Sequence, residues 1–282
     1  MLDARSQVAP IPKPRSPGLP LDEALPRYWF ANNAVATHIS NGVNLLFPAG
    51  ERFFVRSVHH YLDRVKDPHL LAQVKGFFGQ EGRHAKEHER MFALLRAEGF
   101  PVDRFLAAYE RVAFGMIEKM APAELALAVT AACEHFTAIM AEGVLRTNML
   151  GTAHPTMQAL LLWHAAEEIE HRAVAFDVLR EVNPSYALRV AGLAMATVCL
   201  GSFWAIGASV LLASDPEVNI ARLVGDFRAA RKARLARNPA SKGTAQDVFL
   251  RGIREYLRPD FHPSQSDMDA LAETYLKSAG LA

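Results

Sequence analysis

Two helical segments of the chain each carry a glutamate followed three residues later by a histidine. Glu81 and His84 lie in FFGQEGRHAKEHERMF, and Glu168 and His171 lie in WHAAEEIEHRAVAFD. Residues three or four positions apart share one face of a helix, so each pair presents a carboxylate beside an imidazole. His164 precedes Glu168 by one turn and lies on the same stripe. Carboxylate and imidazole ligands together suit iron or manganese, so the chemistry indicated is metal binding.

Two further helical segments each contain a glutamate in apolar surroundings. Glu51 lies in FPAGERFFVRSVHHYL and Glu134 lies in LAVTAACEHFTAIMAEG. In chain order the four segments offer Glu, Glu-x-x-His, Glu and Glu-x-x-His, which is the arrangement of dinuclear carboxylate sites in ferritin-like bundles. Carboxylates that bridge two metal ions offset their charge, and one imidazole for each metal completes the ligand set. The predicted metal ligands, which are also the predicted catalytic residues, are Glu51, Glu81, His84, Glu134, Glu168 and His171.

Other titratable side chains surround these six. We place His164 with the metal ligands, and the alternative is a histidine that orients a ligand, because ligating residues need oriented partners. His88 stands one turn after His84 in the same way, and we expect it to orient a ligand or to lie at the surface, with metal binding as the less favoured alternative. Glu167 and Glu170 point about 100° away from the ligand stripe, which favours positions outside the ligand set.

Helical periodicity runs through the chain from residue 24 onward, without the alternating runs and Asn-Gly turns of hairpins. The ligand spacing fits antiparallel helices, because about 30 residues at 1.5 Å each allow two helices and a turn. The interval between Glu81 and Glu134 is longer and leaves room for a crossover helix at residues 102–119. The expected fold class is all-α, a ferritin-like four-helix bundle with a dinuclear metal site and additional C-terminal helices.

We expect three parts along the chain. Residues 1–23 are rich in proline and predict a flexible arm. Residues 24–182 contain all the predicted ligands and form the dinuclear metal bundle. Residues 183–282 supply a hydrophobic helix and basic C-terminal helices packed on or beside the bundle.

The hydrophobic helix contains 24 residues without a charged side chain, at residues 190–213. That length could span a bilayer, and six lysine or arginine side chains follow between residues 222 and 237. One complete crossing would place residues 1–182 outside the cytoplasm without an export signal, which argues against a simple span. The alternatives are contact with a membrane and a buried helix that packs in the fold or in a homodimer.

Composition excludes several classes of function. The net charge is +1, with 31 basic and 30 acidic residues, so nothing predicts a general attraction to nucleic acid. The two cysteines, Cys133 and Cys199, lack CxxC spacing, which argues against a disulfide framework or a thiolate metal site and favours the cytoplasm. No flavin or nicotinamide fingerprint is present, so a redox reaction would need an external electron donor.

The alternation of Glu and Glu-x-x-His is similar to that of di-iron oxygenases and desaturases of the ferritin-like superfamily. His164 resembles the additional histidine of the arylamine N-oxygenase branch, which includes p-aminobenzoate N-oxygenase. Over roughly residues 25–265 the chain more closely resembles the bacterial family described as predicted metal-dependent hydrolases. The segments that carry this resemblance are FPAGERFFVRSVHHYL, EGRHAKEHE, WHAAEEIEHR and YLRPDFHP. The oxygenase pattern implies the same six ligands, but the surroundings differ, so an aromatic-amine substrate is not implied.

These observations lead us to expect a non-haem di-iron oxygenase or oxidase that activates O2 and oxidises an apolar small molecule. The cofactor would be two iron ions, with manganese as an alternative at one or both positions, and Glu134 and Glu168 would bridge them. One alternative is a dinuclear metal-dependent hydrolase, in which two metal ions activate water. The other is a non-catalytic iron-binding or membrane-associated bundle.

Overall fold

The computed structural model describes residues 10–21, 25–243 and 245–282. These residues form twelve α-helices and no strand, although an isolated β-bridge joins Phe30 and Ala153. The helices are α1 (Ala34–Asn44), α2 (Phe47–His59), α3 (Pro68–Ala97), α4 (Val102–Val112), α5 (Glu118–Met120), α6 (Ala123–Thr147), α7 (Pro155–His171), α8 (Val174–Val182), α9 (Tyr186–Ser214), α10 (Ile220–Arg237), α11 (Arg251–Tyr256) and α12 (Asp269–Ser278). The predicted all-α fold class is confirmed.

Helices α2, α3, α6 and α7 form the four-helix bundle that carries the predicted ligands. Helix α2 packs on α3 and α6, and α7 packs on α6 and α3. Helix α4, a π-helical turn at Ala113–Ile117 and α5 fill the chain between α3 and α6, where the sequence predicts the crossover. Helix α7 ends at His171, and α8 begins at Val174 after a break of two residues.

Local signals fix the ends of the ligand-bearing helices. The Asp67 carboxylate accepts a hydrogen bond from the His69 amide, and Pro68 occupies the first turn of α3. Asn148 ends α6 in the left-handed conformation, with φ of 47°, a conformation that asparagine tolerates better than most residues. Pro155 opens α7 where its missing amide proton costs nothing. The register of the ligands along the bundle follows from these starts and stops.

The N-terminal segment is packed on the bundle over residues 10–21. Pro12 is buried, and the Gln73 side chain of α3 donates a hydrogen bond to the Pro10 carbonyl oxygen. A Cβ atom at Gly76 would collide with the Pro12 carbonyl oxygen, so this glycine lets the segment approach α3 closely. The flexible arm expected over residues 1–23 is therefore not what these residues form, and the rest of that arm lies outside the described residues.

Helix α9 contains the charge-free stretch and packs on α6 and α1 through small residues. Gly192 lies against Ala128 of α6, and Gly42 of α1 lies against Ala208. By length and composition both α6 and α9 could cross a membrane, but 72% of the most apolar window of α6 is buried in the bundle, against 22% for α9. The exposed face of α9 is the surface that a membrane or a second protein could cover.

Candidate metal centre

The structure brings the six predicted ligands and His164 together between α2, α3, α6 and α7. Each of the seven side chains is at most 5% exposed. Their ligand atoms form overlapping groups of three within 4.8 Å of one another, and these groups also include His88. Glu134 joins the cluster through its Oε2 atom, which lies 3.2 Å from His171 Nε2.

His171 lies where three carboxylates meet. Its Nε2 atom lies 3.1 Å from Glu81 Oε1, 3.2 Å from Glu134 Oε2 and 3.5 Å from Glu168 Oε1. Its Nδ1 atom lies 2.9 Å from the side-chain oxygen of Gln80. Because that oxygen can only accept, we assign one proton to Nδ1. Burial opposes a charge on this ring, but Glu168 and Glu134 outweigh it and raise the pKa of His171, so a cation that displaced the second proton would meet the Nε2 lone pair. This is the orientation of an imidazole that binds a metal ion.

His84, like His171, has one ring nitrogen on an acceptor and the other facing the carboxylates, but its acceptor is a different residue. Its Nε2 atom lies 3.0 Å from Glu167 Oε2, which again accepts. Its Nδ1 atom lies 3.7 Å from Glu168 Oε1 and 4.0 Å from Glu81 Oε1. The indole of Trp163 packs edge-on against the imidazole, with the ring centroids 4.8 Å apart. Both histidines of the Glu-x-x-His pairs therefore present one free nitrogen to shared carboxylates.

His164 extends the cluster toward α2. Its Nε2 atom lies 2.8 Å from Glu168 Oε1 and 3.7 Å from Glu51 Oε1, so it lies among the candidate ligands. Its Nδ1 atom lies 2.6 Å from Nε2 of His88, which is fully buried. The structure thus excludes the surface position for His88, which contacts His164 and could form a ligand group with Glu51 and His164. His59 and His60 are exposed, and His135 Nε2 lies 3.1 Å from the Gly252 carbonyl oxygen.

The ligand atoms of the centre lack partners within the described protein. Both carboxylate oxygens of Glu51, Glu81 and Glu134 have no hydrogen-bond donor, and neither has Glu168 Oε2. The inward-facing nitrogens of His84 and His171 have none either. A buried carboxylate without a donor costs several kcal/mol. The unpaired oxygens of these four glutamates therefore need compensation by positive charge. Two divalent cations carry the charge that four carboxylates require, and the donor set of oxygen and imidazole nitrogen suits them.

The pKa values follow from this crowding. Burial, reinforced by neighbouring carboxylates, raises the pKa of Glu51 and Glu81 well above the usual range. Burial likewise raises the pKa of Glu134, to about 7. Burial lowers the pKa of His84 well below that of a free histidine, which keeps its ring neutral and able to bind a metal. In the absence of cations the centre must therefore hold protons, and metal ions must displace them.

A family model described as predicted metal-dependent hydrolase matches residues 13–267. The chain belongs to this family. The match includes all the predicted ligands, and the resemblance inferred from the sequence motifs is confirmed. No curated protein and no solved structure matches the chain. Membership of the predicted metal-dependent hydrolase family supports a metal-dependent enzyme but does not support the oxygenase expected from the ligand pattern.

In this member of the predicted metal-dependent hydrolase family, an arginine of the N-terminal segment supports the centre from outside. The Arg15 guanidinium donates to Glu167 Oε1 at 3.2 Å and to both carboxylate oxygens of Glu170 at 2.7 and 2.9 Å. Gln80 donates to Glu170 Oε2 at 2.7 Å while its oxygen accepts from His171. Glu167 and Glu170 thus lie outside the ligand set, and they link both histidine ligands to Arg15. Sequence reasoning missed Arg15 and Gln80. Arg15 reaches this place only because the Pro-rich N-terminal segment packs along the bundle.

Two cavities flank the centre. The smaller, of about 110 Å³, reaches Glu51 and is otherwise lined mainly by apolar side chains, Phe53, Phe54 and Phe114 among them. The larger, of about 590 Å³, reaches His164 and Glu168. Phe47 and Thr137 line both cavities, so the two approach each other beside the centre. The larger volume lies within the range of about 300–1,000 Å³ usual for small-molecule sites.

Proposed function

We propose that the chain is a dinuclear metal enzyme that hydrolyses a small organic substrate. The observation that carries this proposal is a set of four buried carboxylates, three without any donor and Glu168 with one oxygen unpaired, together with two histidines whose inward nitrogens face them. Membership of the predicted metal-dependent hydrolase family supports hydrolysis as the reaction class. The cations would be held by Glu51, Glu81, His84, Glu134, Glu168 and His171.

Divalent cations bound there would act as Lewis acids that activate water and polarise the substrate. Iron ions would in addition be able to reduce O2. Of the residues that would hold the cations, Glu168 is best placed to be shared, because its Oε1 atom lies 3.7, 2.8 and 3.5 Å from nitrogens of His84, His164 and His171. Glu134 would be the second shared carboxylate. The hydrogen bonds from His84 and His171 to Glu167 and Gln80 hold the imidazoles in one tautomer.

His164 is the residue best placed to handle a proton during the reaction. It lines the larger cavity, and its second nitrogen contacts His88, which has no other hydrogen bond in the described part of the chain. Because Glu168 Oε1 accepts from His164 Nε2, the Nδ1 atom can take a proton from His88 Nε2 while Nε2 releases one to Glu168. This relay requires that His164 does not bind a metal ion through Nε2.

A di-iron oxygenase or oxidase, the function expected from the sequence, is the second candidate. The smaller cavity favours it, because an almost wholly apolar space next to Glu51 suits an apolar substrate and excludes water. This candidate requires two iron ions, with manganese as the alternative, together with O2 and an external electron donor. The family description does not support it.

The first experiment is metal analysis of protein purified anaerobically, followed by activity assays on a panel of esters, amides and phosphoesters. Two metal ions per chain and turnover without O2 or reductant would support the hydrolase. Rapid O2 consumption by the ferrous protein, without hydrolysis, would favour the oxygenase.

The variants Glu81→Gln and Glu89→Gln form a matched pair for this experiment. Both lie on α3, but Glu89 is about half exposed and pairs with Arg52 at the surface. We expect Glu81→Gln to lose bound metal and activity and Glu89→Gln to keep both. Equal metal content in the wild type and both variants would rule out the proposed dinuclear site.

A further inference from the structure

The larger cavity is lined by two sets of charged residues from different helices. His164 and Glu168 of the metal centre lie on α7, and Arg231, Arg234 and Arg237 lie on α10. The rest of the wall is mostly apolar and includes Val35, Ile39, Val43, Met140, Val144 and Leu161. A molecule that fills this cavity must therefore be apolar along most of its length.

Positive charge exceeds negative charge on the cavity wall outside the metal centre. Five arginines line the cavity, whereas the only carboxylates on its wall outside the metal centre are Glu142 and Asp247. Arg146 and Arg251 both bind Glu142, at 2.9 and 2.7 Å. Asp247 accepts hydrogen bonds from the Ser241 hydroxyl and from two backbone amides. The carboxylates of the wall are thus already engaged by partners.

The other three arginines form no ion pair, although Arg234 lies near enough to Asp247 to help lower the pKa of that carboxyl. In the described parts of the chain, no carboxylate lies within ion-pair distance of Arg231, Arg234 or Arg237. Arg234 is half-buried, and its Nε atom is buried without a hydrogen-bond acceptor. A buried guanidinium N–H without an acceptor is unfavourable, and an arginine fork matches carboxylate and phosphate oxygens.

We propose that the larger cavity binds an amphiphilic substrate, an apolar body that ends in a carboxylate or phosphate group. The anionic group lies against Arg231, Arg234 and Arg237, and the apolar body follows the cavity wall toward His164. This inference rests on the proposed function, because it names the substrate class of the same centre. It explains why a chain with nearly balanced charge gathers unpaired arginines at the mouth of one cavity.

The test is calorimetric titration of the full-length protein with decanoate, decyl phosphate and decanol, which share one alkyl chain. We expect both anionic probes to bind at least tenfold more tightly than decanol, and their affinity to fall as salt increases. Decanoate and decyl phosphate distinguish a carboxylate from a phosphate ligand. Titrations of metal-free and metal-loaded protein separate this binding from catalysis. Failure of the inference would leave the metal site standing, and failure of the metal site would leave the anion binding testable.

Variants locate the site. In Arg231→Gln/Arg234→Gln the affinity for the anionic probes should fall at least tenfold, to the level of decanol, with decanol binding unchanged within twofold. Arg228→Gln is the matched control, because Arg228 lies on α10 but does not line the cavity. Val144→Trp, which fills the apolar wall, should weaken all three probes.

Three results would overturn the inference. They are equal binding of decanol and decanoate, no binding of any probe, and an equal loss of affinity in Arg228→Gln and the double variant. Far-ultraviolet circular dichroism and the metal content of each variant show that the fold and the metal centre are intact.

Discussion

Two buried polar clusters in the described part of the chain, one around Asp215 and one at the metal centre, differ in how their carboxylate oxygens are satisfied. At the start of the loop after α9, Asp215 is 3% exposed, and both of its oxygens accept hydrogen bonds. Arg27 donates to Oδ1 at 2.9 Å, while the Tyr28 hydroxyl and His38 Nε2 lie 2.9 and 2.8 Å from Oδ2. At the metal centre, both oxygens of Glu51, Glu81 and Glu134 and one oxygen of Glu168 lack such donors.

The pKa values record the same difference. Burial raises the pKa of Asp215, but its donors outweigh burial and leave the value at about 2. The pKa of Glu134 is raised by burial to about 7, and His171 offsets only part of that rise. Where a carboxylate is structural, this chain surrounds it with its own donors. The absence of donors at the centre therefore marks a place for a ligand of positive charge, rather than a poorly packed core.

The largest predicted effect comes from breaking the satisfied cluster. Asp215→Asn leaves the Arg27 charge without its partner in a largely buried setting, and removal of one member of such a pair typically costs about 3–5 kcal/mol. We expect the free energy of unfolding to fall by about this amount in urea titrations monitored by circular dichroism.

Asp103→Asn is the control for that substitution. Asp103 pairs with Arg96 at the surface, where solvent screening leaves an ion pair with little effect on stability. Similar losses of stability in the two variants would mean that the donors around Asp215 do not stabilise the fold, and the contrast with the metal centre would fail.

The second predicted effect is the response of the metal centre to cation. Metal at about 1,000 times its dissociation constant should stabilise the wild type by about 4 kcal/mol, because it binds the folded chain alone. Glu81→Gln should lose most of this gain, and its metal-free form should be more stable than the metal-free wild type, because one unsatisfied carboxyl group is gone. Thermal unfolding with and without EDTA measures both quantities. Destabilisation of the metal-free protein by Glu81→Gln would show that this carboxylate is satisfied without a cation.

The contrast also shows what a sequence can and cannot reveal. The ligands follow from local spacing, because a glutamate and a histidine three residues apart must share a helix face, and the bundle aligns four such faces. The link from Arg15 to Glu167 spans 152 residues, and that from His38 to Asp215 spans 177. No periodicity encodes such long-range pairs, since they depend on the path of an irregular segment and on the end of a distant helix.

The third prediction concerns the dependence of folding stability on pH, which has opposite signs for Glu134 of the metal centre and for Asp215. In metal-free protein Glu134 keeps its proton up to about pH 7, whereas the unfolded chain loses it near 4.5, so its contribution is present below 4.5 and is lost as pH rises through 7. Asp215 has a lowered pKa, so its contribution is present above about pH 4 and is lost as pH falls through 2.

Denaturant titrations of metal-free wild type and Glu134→Gln between pH 2 and 8 test both signs. The difference in stability between the two proteins should change by up to roughly 3 kcal/mol between pH 4.5 and 7. The loss of stability toward pH 2 should appear in both proteins and be smaller in Asp215→Asn. A constant difference across the range from 4.5 to 7 would contradict the raised pKa at the centre.

The smallest predicted effect tests whether the N-terminal segment supports the metal centre with a donor of the kind found around Asp215. Arg15 satisfies Glu167 and Glu170 as Arg27 satisfies Asp215, but the carboxylates it binds in turn orient the metal ligands. Arg15→Gln should weaken metal affinity by about 10–100-fold, as is usual for partners of metal ligands. Competition with a chromogenic chelator measures this loss, and Lys13→Gln, an exposed neighbour in the same segment, should change affinity by less than twofold. An unchanged affinity in Arg15→Gln would restrict the segment to a packing role, because the histidines would then be oriented without it.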